Sequence, residues 1–424
     1  MRVSVFVVLL LALASCKMFD VSEQQEKLDA ACRIAGTVSV ERTAPAPIVV
    51  VLGRQAGADP TRLESWQVAD HFVLEGPGQW EFRASAGSYG LVAFQDLNRD
   101  LKYQPGEPYL RLEANRTLNC KAGEESGNHV LLIPANGRAR AAETLDISAL
   151  QVRTLQDQAT LSLSEVTALG ERATLSDARF AEAIAEDGLW RPFDFLFKGR
   201  PGVYFLEAYD SKKIPVLFVH GINGTPANFR ALIGRLDRQR FQPWVYYYPS
   251  GASLAMVADH LAQTMRKLQL RYGFKSFAVV AHSMGGLVSR GFLQRYREGG
   301  AAAVPLFVSI STPWGGHRAA ELGVKTAPEV VRVWVDMSPG SEYLRSLYAR
   351  DPGVPHYLFY TYRSAGIGLR EANDGTVTVA SELEPGVQSG AVRVEGFNET
   401  HMSVLESEPM SRQLNELLAR ISAP

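Results

Sequence analysis

The chain has 424 residues, 46% of them hydrophobic, and a formal net charge of −1. This length exceeds one ordinary domain and is enough for two or three, and the composition is that of a globular protein. A near-neutral charge without a basic run argues against nucleic acid as a partner. We therefore expect a multidomain globular protein that does not bind nucleic acid. The sequence does not indicate any protein partner.

The N-terminus has the pattern of an export signal. Arg2 is followed by an apolar stretch over 3–12, too short for a convincing membrane span. The string Leu-Ala-Ser-Cys that ends at Cys16 resembles a bacterial lipobox, which implies removal of residues 1–15 and lipidation of Cys16. We expect an exported protein, lipid-anchored in the bacterial cell envelope. Lys17 favours the outer membrane. The alternative is an ordinary signal peptide with an incidental cysteine.

Two further cysteines, Cys32 and Cys120, remain in the chain. In an exported protein a pair of cysteines predicts one disulfide. The alternative is two buried free thiols. The polar stretch 16–34 is interpreted as a tether, with a short helix as the other reading.

Residues 35–135 contain short β-like runs separated by turn residues at short intervals. This pattern predicts a small antiparallel β-sandwich. The order of the runs resembles that of prealbumin-like accessory domains of exported proteins. In such a domain Cys32 and Cys120 would tie the first strand to a late one.

One loop of this region has the side-chain spacing of a calcium site. Oxygen-bearing side chains occupy positions one, three, five and twelve, namely Asp96, Asn98, Asp100 and Glu107. Position six, where calcium loops carry glycine, is Leu101, and no flanking helices are predicted. A structural calcium site and a plain solvated hairpin loop both remain open.

After a linker or edge segment over 136–200, with a helix predicted over 177–186 and Ser176 as its cap, strands and helices alternate. This alternation predicts a mostly parallel sheet covered on both faces. Strands are predicted at 203–206, 214–219, 244–248, 277–280, 304–310 and 356–362, and helices at 226–236, 254–270, from 284 onward and at 410–421.

The string Ala-His-Ser-Met-Gly-Gly over 281–286 lies between an apolar strand and a helical pattern. This layout is that of a nucleophile elbow, which would expose Ser283. Ala281 stands where glycine is usual, and alanine is the smallest substitute. A serine hydroxyl becomes nucleophilic only when a base takes its proton, and the base needs an orienting carboxylate.

The chain order in such sites is serine, acid, histidine. His401 is the favoured base because it lies in a polar loop before the last helix. His317 is too close to the elbow, and His356 opens a buried strand. The favoured acid is Asp374, in an Asn-Asp-Gly-Thr-Val segment similar to the one that carries the acid in many lipases. Asp336 is the fallback, and a surface turn is the alternative reading of these loops.

An oxyanion must be met by preorganised N–H donors. We expect one from Met284, directly after the serine. The second is expected from Ile222, in the string His-Gly-Ile-Asn-Gly that follows the first long strand. His220 is interpreted as a structural loop histidine.

Together these motifs make residues 201–424 resemble the α/β-hydrolase lipase/esterase superfamily. A further string, Ser-Thr-Pro-Trp-Gly-Gly over 311–316, is similar to that of bacterial lipases and GPI-inositol deacylase-like acyl hydrolases. The resemblance implies an α/β-hydrolase fold with a mostly parallel sheet, and no cofactor for catalysis. It also implies a Ser283–Asp374–His401 triad that cleaves lipid-like esters through an acyl-enzyme.

Three alternatives stay open at this point. The protein could act on small soluble esters, could transfer the acyl group to an acceptor other than water, or could be a degenerate hydrolase platform beside a β-sandwich binding module. An apolar segment over 314–355 is interpreted as a lid or acyl-pocket wall, or as ordinary packing helices.

Overall fold

The computed structural model describes residues 20–41, 45–55, 66–112, 117–137, 145–146, 166–297, 302–364 and 371–422. The predicted signal peptide and Cys16 lie outside the described residues. Within these ranges, no helix is both long enough and apolar enough to cross a membrane.

The elements are numbered in chain order. The strands are β1 (Cys32–Val40), β2 (Ile48–Gln55), β3 (Trp66–Leu74), β4 (Gly78–Ala84), β5 (Gly87–Gln95), β6 (Lys102–Tyr103), β7 (Tyr109–Arg111), β8 (Leu118–Cys120), β9 (Glu125–Ile133), β10 (Leu145–Asp146), β11 (Ala168–Arg172), β12 (Gly202–Phe205), β13 (Ile214–Val219), β14 (Phe241–Tyr247), β15 (Ser276–His282), β16 (Ala303–Ile310), β17 (His356–Thr361) and β18 (Arg393–Phe397). The helices are α1 (Val21–Asp29), α2 (Glu182–Trp190), α3 (Pro192–Lys198), α4 (Arg230–Gly234), α5 (Leu254–Tyr272), α6 (Met284–Arg297), α7 (Arg318–Thr326), α8 (Arg332–Met337), α9 (Glu342–Ala349), α10 (Val379–Glu382), α11 (Pro385–Gln388) and α12 (Glu408–Ala419).

Two sheets form the N-terminal sandwich. One has the strand order β4-β1-β9, and the other has the order β3-β2-β5-β7 with β8 also paired to β5. Apolar side chains of both sheets share one core. A disulfide joins Cys32 of β1 to Cys120 of β8, with 5.7 Å between their Cα atoms, so the predicted disulfide is confirmed.

The sandwich is not antiparallel throughout. The larger sheet is antiparallel, as expected, but β1 and β9 pair in parallel. Parallel neighbours need a long crossover connection, and here the strands of the other sheet supply it. The spacing of β-like runs does not carry this information.

The stretch over 16–34 is not a simple tether in its described part. Residues 21–29 form α1, as the alternative reading had it, and β1 begins at Cys32, ahead of the expected boundary. Helix α1 is held against the C-terminal part of the chain: Gln24 Oε1 accepts from the Asp194 amide at 3.0 Å, and Gln25 Nε2 donates to the Val330 carbonyl at 3.2 Å.

An eight-stranded sheet organises the C-terminal part, in the order β11-β12-β14-β13-β15-β16-β17-β18. The six strands β13 to β18 all run parallel, and β12 is antiparallel to β14. Strand β13 is buried at every residue, as expected for a parallel sheet covered on both faces. Helices α5 and α6 cover one face, and α4 and α12 cover the other.

The edge segment and the apolar insertion are both packed. Strand β11 extends the sheet at its edge, and the helix predicted over 177–186 begins at Glu182. Asp177, not Ser176, caps the short turn that precedes this helix. Helices α7 to α9 occupy the insertion after β16, and Val333 and Leu347 are fully buried in the main core. These buried faces favour the packing-helix interpretation of the insertion.

The sandwich rests on the last turns of α5. Lys267 Nζ lies 3.2 Å from Asp70 Oδ1 of β3, and both side chains are about nine-tenths buried. Leu270 completes an apolar cluster with the outer face of the larger sandwich sheet. The contact with α5 is therefore partly ionic and partly apolar.

Candidate active site

Ser283 lies on the sharp turn between β15, which ends at His282, and α6, which begins at Met284. Its φ is +54°, in the left-handed region that a non-glycine residue rarely adopts. Its amide donates to the Ile310 carbonyl at 2.8 Å, and only 5% of the residue is exposed. Strand, strained turn and helix thus follow one another here as the elbow motif predicts.

The glycines of the motif allow α6 to start very close to the sheet. A Cβ atom at Gly285 would lie 2.3 Å from the Val219 carbonyl oxygen, at the end of β13. A Cβ atom at Gly286 would lie 2.0 Å from Thr312 Oγ1. Both distances are far below van der Waals contact, so the first turn of α6 fits against β13 and the loop after β16 only with glycine.

The structure brings Ser283, His401 and Asp374 together. His401 Nε2 is 2.9 Å from Ser283 Oγ, and His401 Nδ1 is 2.6 Å from Asp374 Oδ2. Since a carboxylate accepts hydrogen bonds, Nδ1 carries the proton, and Nε2 can accept from the serine hydroxyl. The three side chains follow β15, β17 and β18, at the carboxyl ends of these strands.

The Asp374 carboxylate has an extensive set of donors. Its Oδ1 accepts from the amides of Thr376 at 2.9 Å and Val377 at 2.7 Å, and its Oδ2 accepts from Thr361 Oγ1 at 2.8 Å as well as from His401. Burial alone would raise the pKa of Asp374, but the hydrogen bond and charge of His401, together with these amides, hold it below the usual value. The carboxylate is therefore ionised at neutral pH.

Two side chains that support this arrangement were missed by sequence reasoning. His282 donates from Nε2 to the His401 carbonyl at 2.8 Å, and burial lowers its pKa to about 3, so the ring is neutral. Ser311 Oγ is 2.8 Å from Thr361 Oγ1, which in turn donates to Asp374. His282 lies in the string over 281–286 and Ser311 in the string over 311–316. Their positions in these two motifs could have identified them as residues of the site.

The two expected oxyanion donors belong to backbone close to Ser283. Met284 is the first residue of α6, where a backbone N–H has no intrahelical acceptor. A Cβ atom at Gly221 would lie 2.8 Å from Ser283 Cβ, which places the start of the Ile222 loop against the serine. Among the described residues, no hydrogen bond from the Ile222 amide is found.

The other downstream histidines do not reach the serine. His317 Nε2 bonds to the Thr376 carbonyl at 2.9 Å, beside the site. His356 Nε2 lies 2.8 Å from Ser309 Oγ within the sheet.

Asp336, the fallback acid, has a structural contact instead. Its Oδ2 accepts from the Leu254 amide at 2.7 Å, at the start of α5. His220 donates from Nδ1 to the Gly221 carbonyl at 2.8 Å, in keeping with its interpretation as a loop histidine.

The loop with calcium spacing uses its carboxylates internally. Asp96 accepts from the amides of Asp100 and Leu101, at 3.2 and 3.0 Å, and Glu107 accepts from two further loop amides. Leu101 has a φ of +61°, the conformation for which calcium loops carry glycine. No group of three or more His, Cys, Asp or Glu side chains in the described ranges is arranged to hold a metal ion. Calcium at Asn98 and its neighbours stays a prediction.

The family described as alpha/beta hydrolase fold matches residues 214–366, which begin at β13. The C-terminal part of the chain has the α/β-hydrolase fold. The order of its parallel strands, the elbow after β15 and the positions of Asp374 and His401 after β17 and β18 agree with this assignment. No curated protein matches the chain.

Solved structures of lipases and esterases resemble about half of the chain at low identity. The lipase BlEst2 of Bacillus licheniformis is 17% identical, with 51% of this chain and 95% of that chain covered and a TM-score of 0.41. A putative aryl esterase of Burkholderia cenocepacia is 16% identical, over 51% and 96%, with a TM-score of 0.36. A carboxylesterase of Nitrososphaera gargenis is 14% identical, over 51% and 94%, with a TM-score of 0.37. None of these similarities identifies a substrate for this protein.

We expect Gly285→Ala to destabilise the protein by about 1–3 kcal/mol or more, because the added methyl group meets the β13 backbone. Gly234→Ala is the matched control, since a Cβ atom there meets nothing within 4 Å. Urea unfolding of both variants measures the difference. Equal stability of the two would contradict the close approach of α6 to the sheet.

Proposed function

We propose that this protein is a serine hydrolase that cleaves carboxylic esters. The proposal rests on one observation: His401 bridges Ser283 and the buried Asp374 with hydrogen bonds of 2.9 and 2.6 Å. Nucleophile, base and orienting acid within hydrogen-bond reach of each other are what acyl transfer through serine requires.

In the proposed reaction His401 Nε2 takes the Ser283 proton as Oγ attacks the ester carbonyl carbon. The amides of Met284 and Ile222 donate to the resulting oxyanion. The tetrahedral intermediate collapses, the alcohol leaves with the proton from His401, and an acyl-enzyme remains. A water molecule then repeats the sequence, giving its proton to His401 and releasing the carboxylic acid and the free serine. Asp374, ionised throughout, stabilises the imidazolium form of His401.

Ser283→Ala should lower ester turnover by about 10⁶-fold, because no nucleophile remains for acylation. It should also abolish labelling by a fluorophosphonate probe. Ser289→Ala is the matched control, since Ser289 is a fully buried serine on the helix that follows the elbow. Hydrolysis of p-nitrophenyl butyrate measures turnover. A wild-type protein that neither reacts with the probe nor hydrolyses esters would favour the degenerate-platform alternative.

Asp374→Asn should lower turnover by up to about 10⁴-fold, less than loss of the serine, because it chiefly disturbs the tautomer and orientation of the histidine. Asp336→Asn should leave turnover near the wild-type value, since the amide oxygen can still accept from Leu254. The pair is compared under the same assay. Full activity of Asp374→Asn, with loss in Asp336→Asn, would transfer the acid role to Asp336.

We further propose a lipid-like ester as substrate, presented at a membrane surface. Lipidation of Cys16 would confine the enzyme to the surface where insoluble esters reside. The chain from Cys16 to Val21 spans at most about 18 Å. Helix α1 is hydrogen-bonded through Gln24 to Asp194 of the edge segment and through Gln25 to Val330 of the hydrolase part, so an anchor at Cys16 would keep the hydrolase part close to the membrane. The Ser-Thr-Pro-Trp-Gly-Gly string and the half-exposed Met402, next to His401, support an apolar substrate.

Catalytic efficiency should increase with acyl length, and lipid vesicles should increase it further, because each buried methylene contributes about 0.8 kcal/mol. The measurement is kcat/KM across p-nitrophenyl esters from acetate to palmitate, with and without phospholipid vesicles. A preference for acetyl esters without a vesicle effect would contradict the lipid-like substrate and indicate an esterase that acts on small soluble esters. Ester product formed with an added alcohol, at the expense of free acid, would indicate an acyltransferase.

The proposed anchor predicts a mature chain that begins at Cys16 and partitions into detergent. Mass spectrometry of the N-terminal peptide should show a diacylglyceryl adduct, and Cys16→Ser should remove both the adduct and the partitioning. Cleavage at another bond, or an unmodified cysteine, would contradict membrane anchoring. Fractionation of inner and outer membranes tests the expected location.

A further inference from the structure

A second carboxyl group lies behind the Asp374 carboxylate. Glu382 ends the short helix α10, and only 1% of the residue is exposed. Its Oε2 accepts from the Thr361 amide at 3.0 Å, and its Oε1 is 3.5 Å from Thr361 Oγ1. The side chain is also within hydrogen-bond reach of Asp374. Asp374 and Glu382 thus share one enclosure, with Thr361 bound to both.

Two carboxylates this close and this buried are not both ionised, because like charges repel strongly out of water. The surroundings decide which one keeps its proton. Asp374 accepts from His401, Thr361 and two backbone amides, whereas no Lys or Arg side chain in the described ranges pairs with Glu382. Burial and the charge of Asp374 raise the pKa of Glu382 to about 10, while the pKa of Asp374 is lowered. The proton therefore belongs on Glu382.

We propose that Glu382 is a positioning residue of the active site: as a neutral carboxylic acid it donates a hydrogen bond to Asp374 and, together with Thr361, fixes the carboxylate that orients His401. This inference rests on the proposed ester hydrolase function. A neutral donor holds Asp374 in place without adding a second negative charge near His401. An ionised Glu382 would add a second negative charge that favours the imidazolium form, so that less of His401 would be free to act as the base.

The ionisable groups on the elements packed around this carboxyl are Asp374, His401, His317, Tyr348 and Glu384. Burial lowers the pKa of His317 and raises that of Tyr348, so both are neutral at pH 7. Of these groups, Asp374 is the one whose charge raises the pKa of Glu382.

Two substitutions test whether the hydrogen bonds of the Glu382 side chain matter for catalysis. Glu382→Gln keeps a donor toward Asp374 and an acceptor for the Thr361 amide, whereas Glu382→Ala removes both. With p-nitrophenyl butyrate as substrate and a fluorophosphonate as active-site titrant, Glu382→Gln should keep kcat within about threefold of wild type. Glu382→Ala should lower kcat about tenfold to a hundredfold at similar KM, a cost typical of outer partners that orient functional groups.

Glu384→Gln is the matched control, because it alters a carboxyl two residues away that has no hydrogen bond to Asp374 among the described contacts. Its kcat and pH profile should be those of wild type. Full kcat per titrated site in Glu382→Ala would overturn the positioning role, whatever that variant does to stability.

The pH profile distinguishes a neutral Glu382 from an ionised one. The acid limb of kcat/KM reports the base of the free enzyme, here His401. If Glu382 is neutral, the limb stays in place in Glu382→Gln. If Glu382 is ionised, its replacement removes a negative charge beside the site, and the limb moves to lower pH by about one unit. Such a shift would overturn the proposal.

Thermal unfolding tests the protonation without any assay of activity. Between about pH 4.5 and 10 the folded protein keeps a proton on Glu382 that the unfolded chain has released. The free energy of unfolding therefore falls as pH rises through this window. The Glu382→Gln variant does not show this decrease, because its amide does not titrate. The Tm of Glu382→Gln minus that of wild type should therefore increase from pH 5 to pH 9. A flat difference would contradict a neutral Glu382. Thermal unfolding does not depend on catalytic activity. A wild-type protein without esterase activity would therefore contradict the proposed function but would leave this test of Glu382 unaffected.

Discussion

A single buried negative charge, the Asp374 carboxylate, sets the requirements for everything around it. A carboxylate removed from water is stable only where donors replace its hydration. Here the donors are His401 Nδ1, Thr361 Oγ1 and the two amides that follow Asp374 in its own loop. One of these bonds fixes the tautomer of His401, so the same hydrogen bond that stabilises the charge prepares Nε2 to accept the Ser283 proton. Replacing any of these donors alters both the charge and the base.

The parallel sheet delivers these groups to one place. Strands β15, β16, β17 and β18 are consecutive along the chain and adjacent in the sheet. Their carboxyl ends carry Ser283, Ser311, Thr361 with Asp374, and His401 in the same order. Because the strands are about 4.8 Å apart, side chains from successive loops meet without long connections. The glycines at 285 and 286 add the last constraint, since they bring α6 close enough to the sheet to present the serine beside the loop of Ile222.

Sequence reasoning succeeded where a local pattern is decisive. Strand β13, buried at every residue, and β15, buried from Phe277 onward, contain continuous apolar runs, and the three side chains that the structure joins by hydrogen bonds, Ser283, His401 and Asp374, each stand in a short characteristic segment. Strand β18 was missed because four of its five residues are partly or fully exposed, with only Phe397 buried, so it has no apolar run. Thr361 and Glu382 have no local signal either: one ends an ordinary strand, the other an ordinary helical turn. Their contact with Asp374 exists only once β17 and α10 are folded together. The parallel pairing of β1 with β9 is of the same kind, because a strand pattern does not encode direction.

The sandwich contacts helix α5, whereas the N-terminal helix contacts the segment that contains Val330. Helix α5 starts after β14, at the carboxyl edge of the sheet, where Asp336 accepts from the Leu254 amide. It ends before β15, at the amino edge, and its last turns carry the Lys267 pair and Leu270 that hold the sandwich. Helix α1 instead contacts Val330, whose segment lies against Gly251 just after β14. Helix α1 therefore lies against a segment at the carboxyl edge of the sheet, the edge that carries Ser283. An anchor at Cys16, as proposed, would hold that edge close to a membrane, the surface at which insoluble esters are presented.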